Sequence, residues 1–274
     1  MDKIPFMKLS GAGNDFVIIN NFAEIVDSTD TEFVQKLCQR RMSVGADGVL
    51  LVEKADDVDF RMRYFNADGG EVETCGNGAR CISKFAYLNG IAAEQMRFLT
   101  NAGIYESEIV GENVKVRMSD PTEIRLNVPL QLDDGLHAVG FANSGVPHVV
   151  FFVDDLEGTD VYNLGQQTRY HDNFKPDGTN ANFIRVESPG LIDIRTYERG
   201  VEDETLACGT GSIASAIIAA TLGKVASPVA VKTASGIVLK IHFEIADGEV
   251  KNVYLEGDAR VIYVGELTTD AWNY

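Results

Sequence analysis

The sequence is poor in positive charge: its 274 residues carry 24 Lys and Arg against 41 Asp and Glu, a formal net charge of −17. Binding to a phosphate backbone needs a basic face, so nucleic acid is excluded as the main partner. Docking on an anionic membrane surface is excluded on the same ground. An anionic small molecule is not excluded, because a few local donors suffice to hold one. Long hydrophobic runs are missing too. No stretch approaches the roughly 20 apolar residues that span a bilayer, and Met1-Asp2-Lys3-Ile4-Pro5 opens no apolar run like that of a signal peptide. A cytoplasmic enzyme or binding protein is expected. Cysteine is scarce: Cys38, Cys75, Cys81 and Cys208 are all there is. Four in a chain of this length do not make a disulfide scaffold, and no two have the C-x-x-C spacing of a zinc site or a redox pair. In a reducing cytosol they are expected to be thiols.

What is present is an ordinary globular composition, 45% hydrophobic and 24% charged, in a length that suits one large domain or two of ordinary size. The chain also repeats itself once. Residues 64–104 align with 197–237 at a constant offset of 133, with 11 identities over 41 ungapped positions. The shared core is E-x-x-x-C-G-x-G, read as Glu71…Cys75-Gly76-x-Gly78 and Glu204…Cys208-Gly209-x-Gly211. Upstream, Ser10-Gly11 matches Ser144-Gly145 at offset 134, which places Asn14 opposite His148. Two similar half-chains imply two similar domains about a pseudo-twofold axis.

Local patterns repeat as well. Residues 58–64 alternate apolar and polar as a half-buried strand does, and 191–197 occupy the matching place. After each Cys-Gly-x-Gly comes a helical stretch. Its apolar positions are Ala79, Ile82, Phe85, Ala86 and Leu88 in the first copy; in the second, 213–222 is apolar almost all round, as in a buried helix. Gly90 and Gly223 fall where C-terminal caps belong. Further strands are expected at 113–118 and 250–256. An earlier helix is expected from Thr29, with Thr29 and Glu32 as a capping box and Phe33, Val34, Leu37 and Cys38 on its apolar side. Strands dominate, with helices between them, so the fold class is α+β. The domain border is expected near Pro121 or Pro129, where the strand pattern breaks.

Each repeat sets a cysteine immediately before a helix. A helix N-terminus presents unpaired N–H groups and about half a positive charge. Such a place lowers a thiol pKa and receives a carboxylate on bare amides, with glycine permitting close approach. If both helix ends address one carboxylate, its α-carbon lies between two thiols. One thiolate removes the α-proton, the other thiol returns one from the opposite face, and the stereocentre inverts. The reverse reaction needs the same pair in swapped protonation states. Cys38 and Cys81 sit on apolar helix sides and read as packing residues. Asp15 and Glu71 read as capping or loop support.

The segments Lys8-Leu-Ser-Gly-Ala-Gly-Asn-Asp-Phe16, Phe65-Asn-Ala-Asp-Gly-Gly-Glu71, Cys75-Gly-Asn-Gly-Ala-Arg80 and Tyr197-Glu-Arg-Gly200 through Gly211 together resemble the diaminopimelate epimerase family. The resemblance implies interconversion of LL- and meso-diaminopimelate in lysine biosynthesis, with no cofactor, neither pyridoxal phosphate nor metal. It implies two similar domains, each a curved, mostly antiparallel sheet around a central helix, with the C-terminal strand returning to the first: residues 1–120 plus 264–274, and 121–263. It also implies a homodimer. Carried over by position, Cys75 and Cys208 are the acid/base thiols. Gly76, Asn77, Gly209 and Thr210 hold the reacting carboxylate. Asn14, Asn66, Asn180 and Arg199 bind substrate, chiefly its distal end, and His148 and Glu198 are polar partners of the thiols, Glu198 also bordering the substrate. Two positions depart from relatives: Val146 stands where many have Asn, and Gly48 where some have Gln.

Three other readings compete. A racemase of the same two-thiol design, related to proline racemase, needs no site for a second amino-acid end. A thiol redox protein needs a nearby resolving cysteine, whereas Cys75 and Cys208 are 133 residues apart. A non-catalytic amino-acid-binding module needs the amides but not both thiols.

Overall fold

The structure is a computed structural model that describes residues 3–73 and 75–274. Met1 and Asp2, included in the reading of the chain start, lie outside the described residues. The chain forms two compact units, 1–116 with 257–274, and 117–256. In chain order the elements of the first half are β1 (Ile4–Gly11), β2 (Asn14–Asn20), α1 (Thr31–Cys38), β3 (Gly48–Glu53), β4 (Phe60–Asn66), β5 (Glu71–Val72), α2 (Gly76–Leu88), β6 (Gln95–Thr100), β7 (Gly103–Val110) and β8 (Asn113–Arg117). Then follow β9 (Thr122–Leu132), β10 (Gly135–Asn143), β11 (Pro147–Phe152), α3 (Val161–Tyr170), β12 (Asn180–Ser188), β13 (Leu191–Glu198), β14 (Asp203–Thr205), α4 (Gly209–Thr221), β15 (Val229–Lys232), β16 (Val238–Ala246), β17 (Glu249–Asp258) and β18 (Arg260–Leu267).

The two units share one strand plan. In the first, neighbours run β18-β1-β2-β3-β4-β6-β7-β8, with β5 beside the end of β4. In the second they run β9-β10-β11-β12-β13-β15-β16-β17, with β14 beside the end of β13. Within these two orders, among the described residues, pairing is antiparallel except at β2–β3 and β4–β6, and at the matching β11–β12 and β13–β15. A parallel pair needs a long crossover, and each crossover carries a helix: α1 and α2 in one unit, α3 and α4 in the other. The last strand, β18, pairs with β1. Repeated sequence thus becomes repeated topology, and the α+β class holds.

The paired helices are central to their units. α2 packs against β1, β2, β3, β4 and β7, and α4 against β10, β11, β12, β13, β15 and β16. Strands between two helices are buried on both faces. In the first unit Val17, Ile19, Val49 and Leu51 join Phe33, Val34 and Leu37 of α1 in one core, while Leu50 turns toward α2. That explains the unbroken apolar runs in β2 and β3. In α4, residues 211–219 are all buried, and Ile213, Ile217 and Ile218 contribute about 1.5–3 kcal/mol each by leaving water. Both helices stop alike: Gly90 and Gly223 adopt positive φ, and the N–H groups of Ile91 and Lys224 turn back to Ala86 and Ala219.

Two expectations change. α1 begins at Thr31, capped by Asp30, whose carboxylate accepts from the Phe33 N–H at 2.9 Å. Thr29 is engaged instead with Asp27, so no Thr29–Glu32 capping box forms. The apolar side of α1 is as expected, with Phe33, Val34, Leu37 and Cys38 buried. Pro129 does not interrupt a strand: it lies inside β9 opposite Ala138. Among the described residues no helix is long and apolar enough to cross a membrane.

Candidate active site

In the first unit Cys75 is the N-cap residue of α2, with extended backbone, and its side chain makes no cap hydrogen bond. Its Sγ instead donates to Asn14 Oδ1 at 3.6 Å. Asn14 opens β2 directly after the tight turn at Ala12-Gly13, both at positive φ as a two-residue hairpin turn requires. The orientation of its amide is set from behind. Asn14 Nδ2 donates to Asp47 Oδ2 at 2.6 Å, and a carboxylate only accepts, so the amide oxygen is left facing sulfur. Asp47 is held by Arg40 at 2.9 Å; Arg40 also grips Asp15, whose carboxylate lies 2.8 Å from buried Lys8 Nζ.

The first turn of α2 rests on Arg80, which is fully buried. Its guanidinium donates to Asn77 Oδ1 (2.9 Å), the Asp258 carbonyl (3.2 Å) and the Gly76 carbonyl (3.4 Å). Burial lowers its pKa, yet guanidinium stays protonated in proteins. A positive charge therefore lies under the amides of Gly76 and Asn77, adding to the helix end as a place for an anion. Asn66 closes β4 half-buried, in a turn where its N–H donates to the Gly70 carbonyl. Gly48 lies opposite Asn66, and a Cβ there would meet the Phe65 carbonyl oxygen at 2.4 Å and the Tyr64 ring at 2.6 Å. With this backbone no side chain fits at Gly48.

In the second unit Cys208 is the N-cap of α4. Its Sγ accepts from the Gly211 N–H at 3.4 Å and lies 3.5 Å from Thr210 Oγ1. The lowered pKa expected of a thiol at a helix N-terminus is not found at Cys208: burial pushes this thiol up to about 12, and the Glu198 carboxylate pushes the same way. Glu198 ends β13 and accepts a hydrogen bond from the Thr205 hydroxyl. Its own burial raises its pKa, while hydrogen bonds from Thr205 and Cys208 lower it. His148 is fully buried at the start of β11, with Nε2 2.9 Å from Thr210 Oγ1 and Nδ1 3.1 Å from Asn182 Nδ2. Burial, followed by the charge of Arg199, pushes its pKa down to about 3, so the ring is neutral. Asn180 is spanned by backbone at both ends of its amide: Oδ1 accepts from Arg199 N–H (2.8 Å) and Nδ2 donates to the Pro147 carbonyl (2.9 Å). The Arg199 guanidinium donates to the Asp177 carbonyl at 3.2 Å.

Residues chosen from sequence therefore gather at both helix starts: Asn14, Gly76 and Asn77 around Cys75, and His148, Glu198, Gly209 and Thr210 around Cys208. Asn180 and Arg199 adjoin one another, and Asn66 stands at a neighbouring strand end. Cys38 and Cys81 are buried thiols raised by desolvation, Cys38 to about 12. Asp15 and Glu71 are not caps. Asp15 is the centre of the Lys8–Arg40 ion pairs, and Glu71 takes both ends of the Arg63 fork at 2.9 and 2.7 Å. Sequence reasoning passed over Asp47, Arg40, Arg80, Thr205 and Asn182. Arg80 carried a visible signal, a charge on an apolar helix whose repeat counterpart is Ile213. Asn182 carried another, an amide within the apolar β12.

A family model described as diaminopimelate epimerase matches residues 6–124 and 140–262. The diaminopimelate epimerase of Aquifex aeolicus is 42% identical over 99% of this chain and all of its own length. That of Hydrogenobaculum is 44% identical over 95% of this chain and 97% of its own. Solved structures share the fold at low identity. A Bacillus anthracis phenazine biosynthesis protein of the PhzF family superposes with TM-score 0.74 at 16% identity, covering 98% of this chain and 100% of that one. A probable proline racemase from Agrobacterium radiobacter gives 0.66 at 15%, covering 98% and 94%.

Proposed function

The chain belongs to the diaminopimelate epimerase family, and from that premise we propose that it interconverts LL- and meso-2,6-diaminopimelate by proton transfer between two cysteines. The observation that carries the proposal is the repeated thiol at the start of a buried helix, Cys75 before α2 and Cys208 before α4.

Inversion at an α-carbon needs a base on one face and an acid on the other. A matched pair of thiols meets this in both directions. The α-proton of an amino acid is weakly acidic, so the carboxylate must be held where developing negative charge is stabilised. The amides of Gly76, Asn77, Gly209 and Thr210 are assigned that task. Glu198 beside Cys208 offers a carboxylate to take the thiol proton, and its raised pKa brings the two groups closer in basicity. His148 contributes as a neutral donor through Thr210. Asn14, Asn66, Asn180 and Arg199 are assigned to the substrate, with Arg199 matching the distal carboxylate by its planar fork. No pyridoxal phosphate or metal takes part in this mechanism. Family membership supports a role in the diaminopimelate branch of lysine synthesis; the working form is a homodimer in the cytoplasm, and sedimentation tests the dimer.

The test is an epimerisation assay on extensively dialysed, chelator-treated protein with LL-diaminopimelate, L-proline and small L-amino acids. Turnover of diaminopimelate alone, undiminished by dialysis, is the expected result. Turnover of proline instead, or recovery only on adding pyridoxal phosphate or a metal, overturns it.

A further inference from the structure

Asn182 is fully buried, with its amide nitrogen engaged twice and its amide oxygen once. Its Nδ2 donates to the Val149 carbonyl at 2.9 Å and faces His148 Nδ1 at 3.1 Å; its Oδ1 accepts from the Thr196 hydroxyl at 3.1 Å. The orientation of this amide is determined. A backbone carbonyl can only accept, so the nitrogen, not the oxygen, lies beside Val149 and hence beside the imidazole. The imidazole must then offer a lone pair at Nδ1, and in a neutral ring the proton sits on Nε2. Nε2–H points at Thr210 Oγ1, 2.9 Å away. With its oxygen receiving that hydrogen bond, Thr210 has one hydrogen to give, and Cys208 Sγ lies 3.5 Å from it.

We propose that Asn182 is a positioning residue that fixes His148 as the Nε2–H tautomer and thereby turns the Thr210 hydroxyl to donate to the Cys208 sulfur. The chain Val149–Asn182–His148–Thr210–Cys208 runs in one direction from a backbone carbonyl to the thiol, and every member belongs to one compact unit. A donor at sulfur favours the thiolate and so works against burial and Glu198, which both favour the thiol. The fold makes room for this arrangement. At Gly211, whose N–H also donates to Cys208 Sγ, a Cβ would lie 2.3 Å from Asn182 Oδ1. At the matching Gly78 the nearest atoms to a Cβ are 3.3 Å or more away. Glycine at 211 is thus demanded by Asn182.

The kinetic consequence rests on the epimerase reading; the tautomer does not. The experiment uses full-length protein labelled with 15N at histidine. Two-bond nitrogen–hydrogen correlations are recorded near neutral pH for wild type, Asn182→Asp, Asn182→Ala and His148→Gln, the last to assign the signal. In wild type His148 is expected as Nε2–H with a bare Nδ1. In Asn182→Asp, nearly isosteric and first checked for folding by circular dichroism, the carboxylate accepts, so the proton is expected on Nδ1 or on both nitrogens. Turnover of diaminopimelate should fall at least tenfold in kcat in both Asn182 variants, with KM changed less than threefold. Thr210→Ser should keep most of the rate and Thr210→Val should not. A wild-type His148 protonated on Nδ1 or doubly protonated overturns the proposal whatever the substrate proves to be. So does an Asn182→Asp protein with the Nε2–H tautomer and wild-type kcat.

Discussion

The two helix starts are copies in sequence and opposites in wiring. At the first, Cys75 Sγ faces the amide oxygen of Asn14, an acceptor, and the helix turn above rests on a buried guanidinium. At the second, Cys208 Sγ receives the Gly211 N–H, faces a hydroxyl and stands beside Glu198; Arg80 is replaced there by Ile213. The repeat partners Asn14 and His148 carry much of this difference. The repeat places a thiol at each of two helix starts, and the residues around each give them unlike surroundings. On the proposed reading such divergence has a reason, because the two substrates are diastereomers and the two thiols would face unlike tasks.

The largest effect expected from breaking the pair is complete. Cys75→Ala and Cys208→Ala should each abolish epimerisation while far-ultraviolet circular dichroism stays that of wild type. Cys38→Ala and Cys81→Ala should keep the rate and cost about 1 kcal/mol of stability for a small buried side chain, read by urea denaturation. Loss of activity in Cys81→Ala at unchanged stability would mean the four thiols were wrongly sorted.

Next comes the charge assigned to the distal carboxylate. Arg199→Ala should lower kcat/KM by a factor equivalent to on the order of 2–5 kcal/mol, chiefly through KM, since a carboxylate would be desolvated without its partner. Arg199→Lys should recover only part, because an ammonium does not copy the planar fork. Steady-state kinetics decide, and an unchanged kcat/KM would reopen the reading as a racemase of a smaller amino acid.

Paired glycines compare the two halves directly. Gly211→Ala should destabilise by about 1–3 kcal/mol from overpacking and displace Asn182, costing rate as well. Gly78→Ala should be nearly neutral, since its closest neighbour is the flexible end of Met62 and alanine is the better helix former. Equal penalties would contradict the asymmetry.

The two matching positions also differ in their response to pH. Burial holds His148 at about 3 in the folded protein against 6.5 for the free side chain. Below 6.5 the unfolded chain takes up a proton that the folded chain refuses. The stabilisation is therefore full above pH 6.5 and drains away as pH falls toward 3, a few kcal/mol over the whole span. His148→Gln should flatten that part of the stability curve. Asn14→Ala, at the matching position, has no such proton and should leave its shape unchanged.

Much of this was legible before any coordinates. The repeat, the two Cys-Gly-x-Gly helix starts, their glycine stops and the apolar side of α1 follow from spacing alone, because they are local and periodic. The cap of α1 was misplaced because Thr29 and Asp30 are both good cap residues, and only geometry shows that Thr29 turns to Asp27. Asp47, Asn182 and Arg80 were missed for a different reason. Arg80 and Asn182 show in the sequence only as polar residues in apolar elements, and the contacts that give them and Asp47 their roles, such as Asn14–Asp47 and His148–Asn182, join residues distant in sequence.

The two-thiol mechanism is tested most directly by starting LL-diaminopimelate in deuterium oxide and measuring, at early conversion, deuterium at the reacting carbon in product and in recovered substrate. With separate thiols on opposite faces, meso product should carry one solvent deuterium at the inverted centre from the first turnovers, while recovered LL substrate remains protiated. Protium carried from substrate into the inverted product would mean that one base serves both faces, and the assignment of Cys75 and Cys208 as a pair would fall.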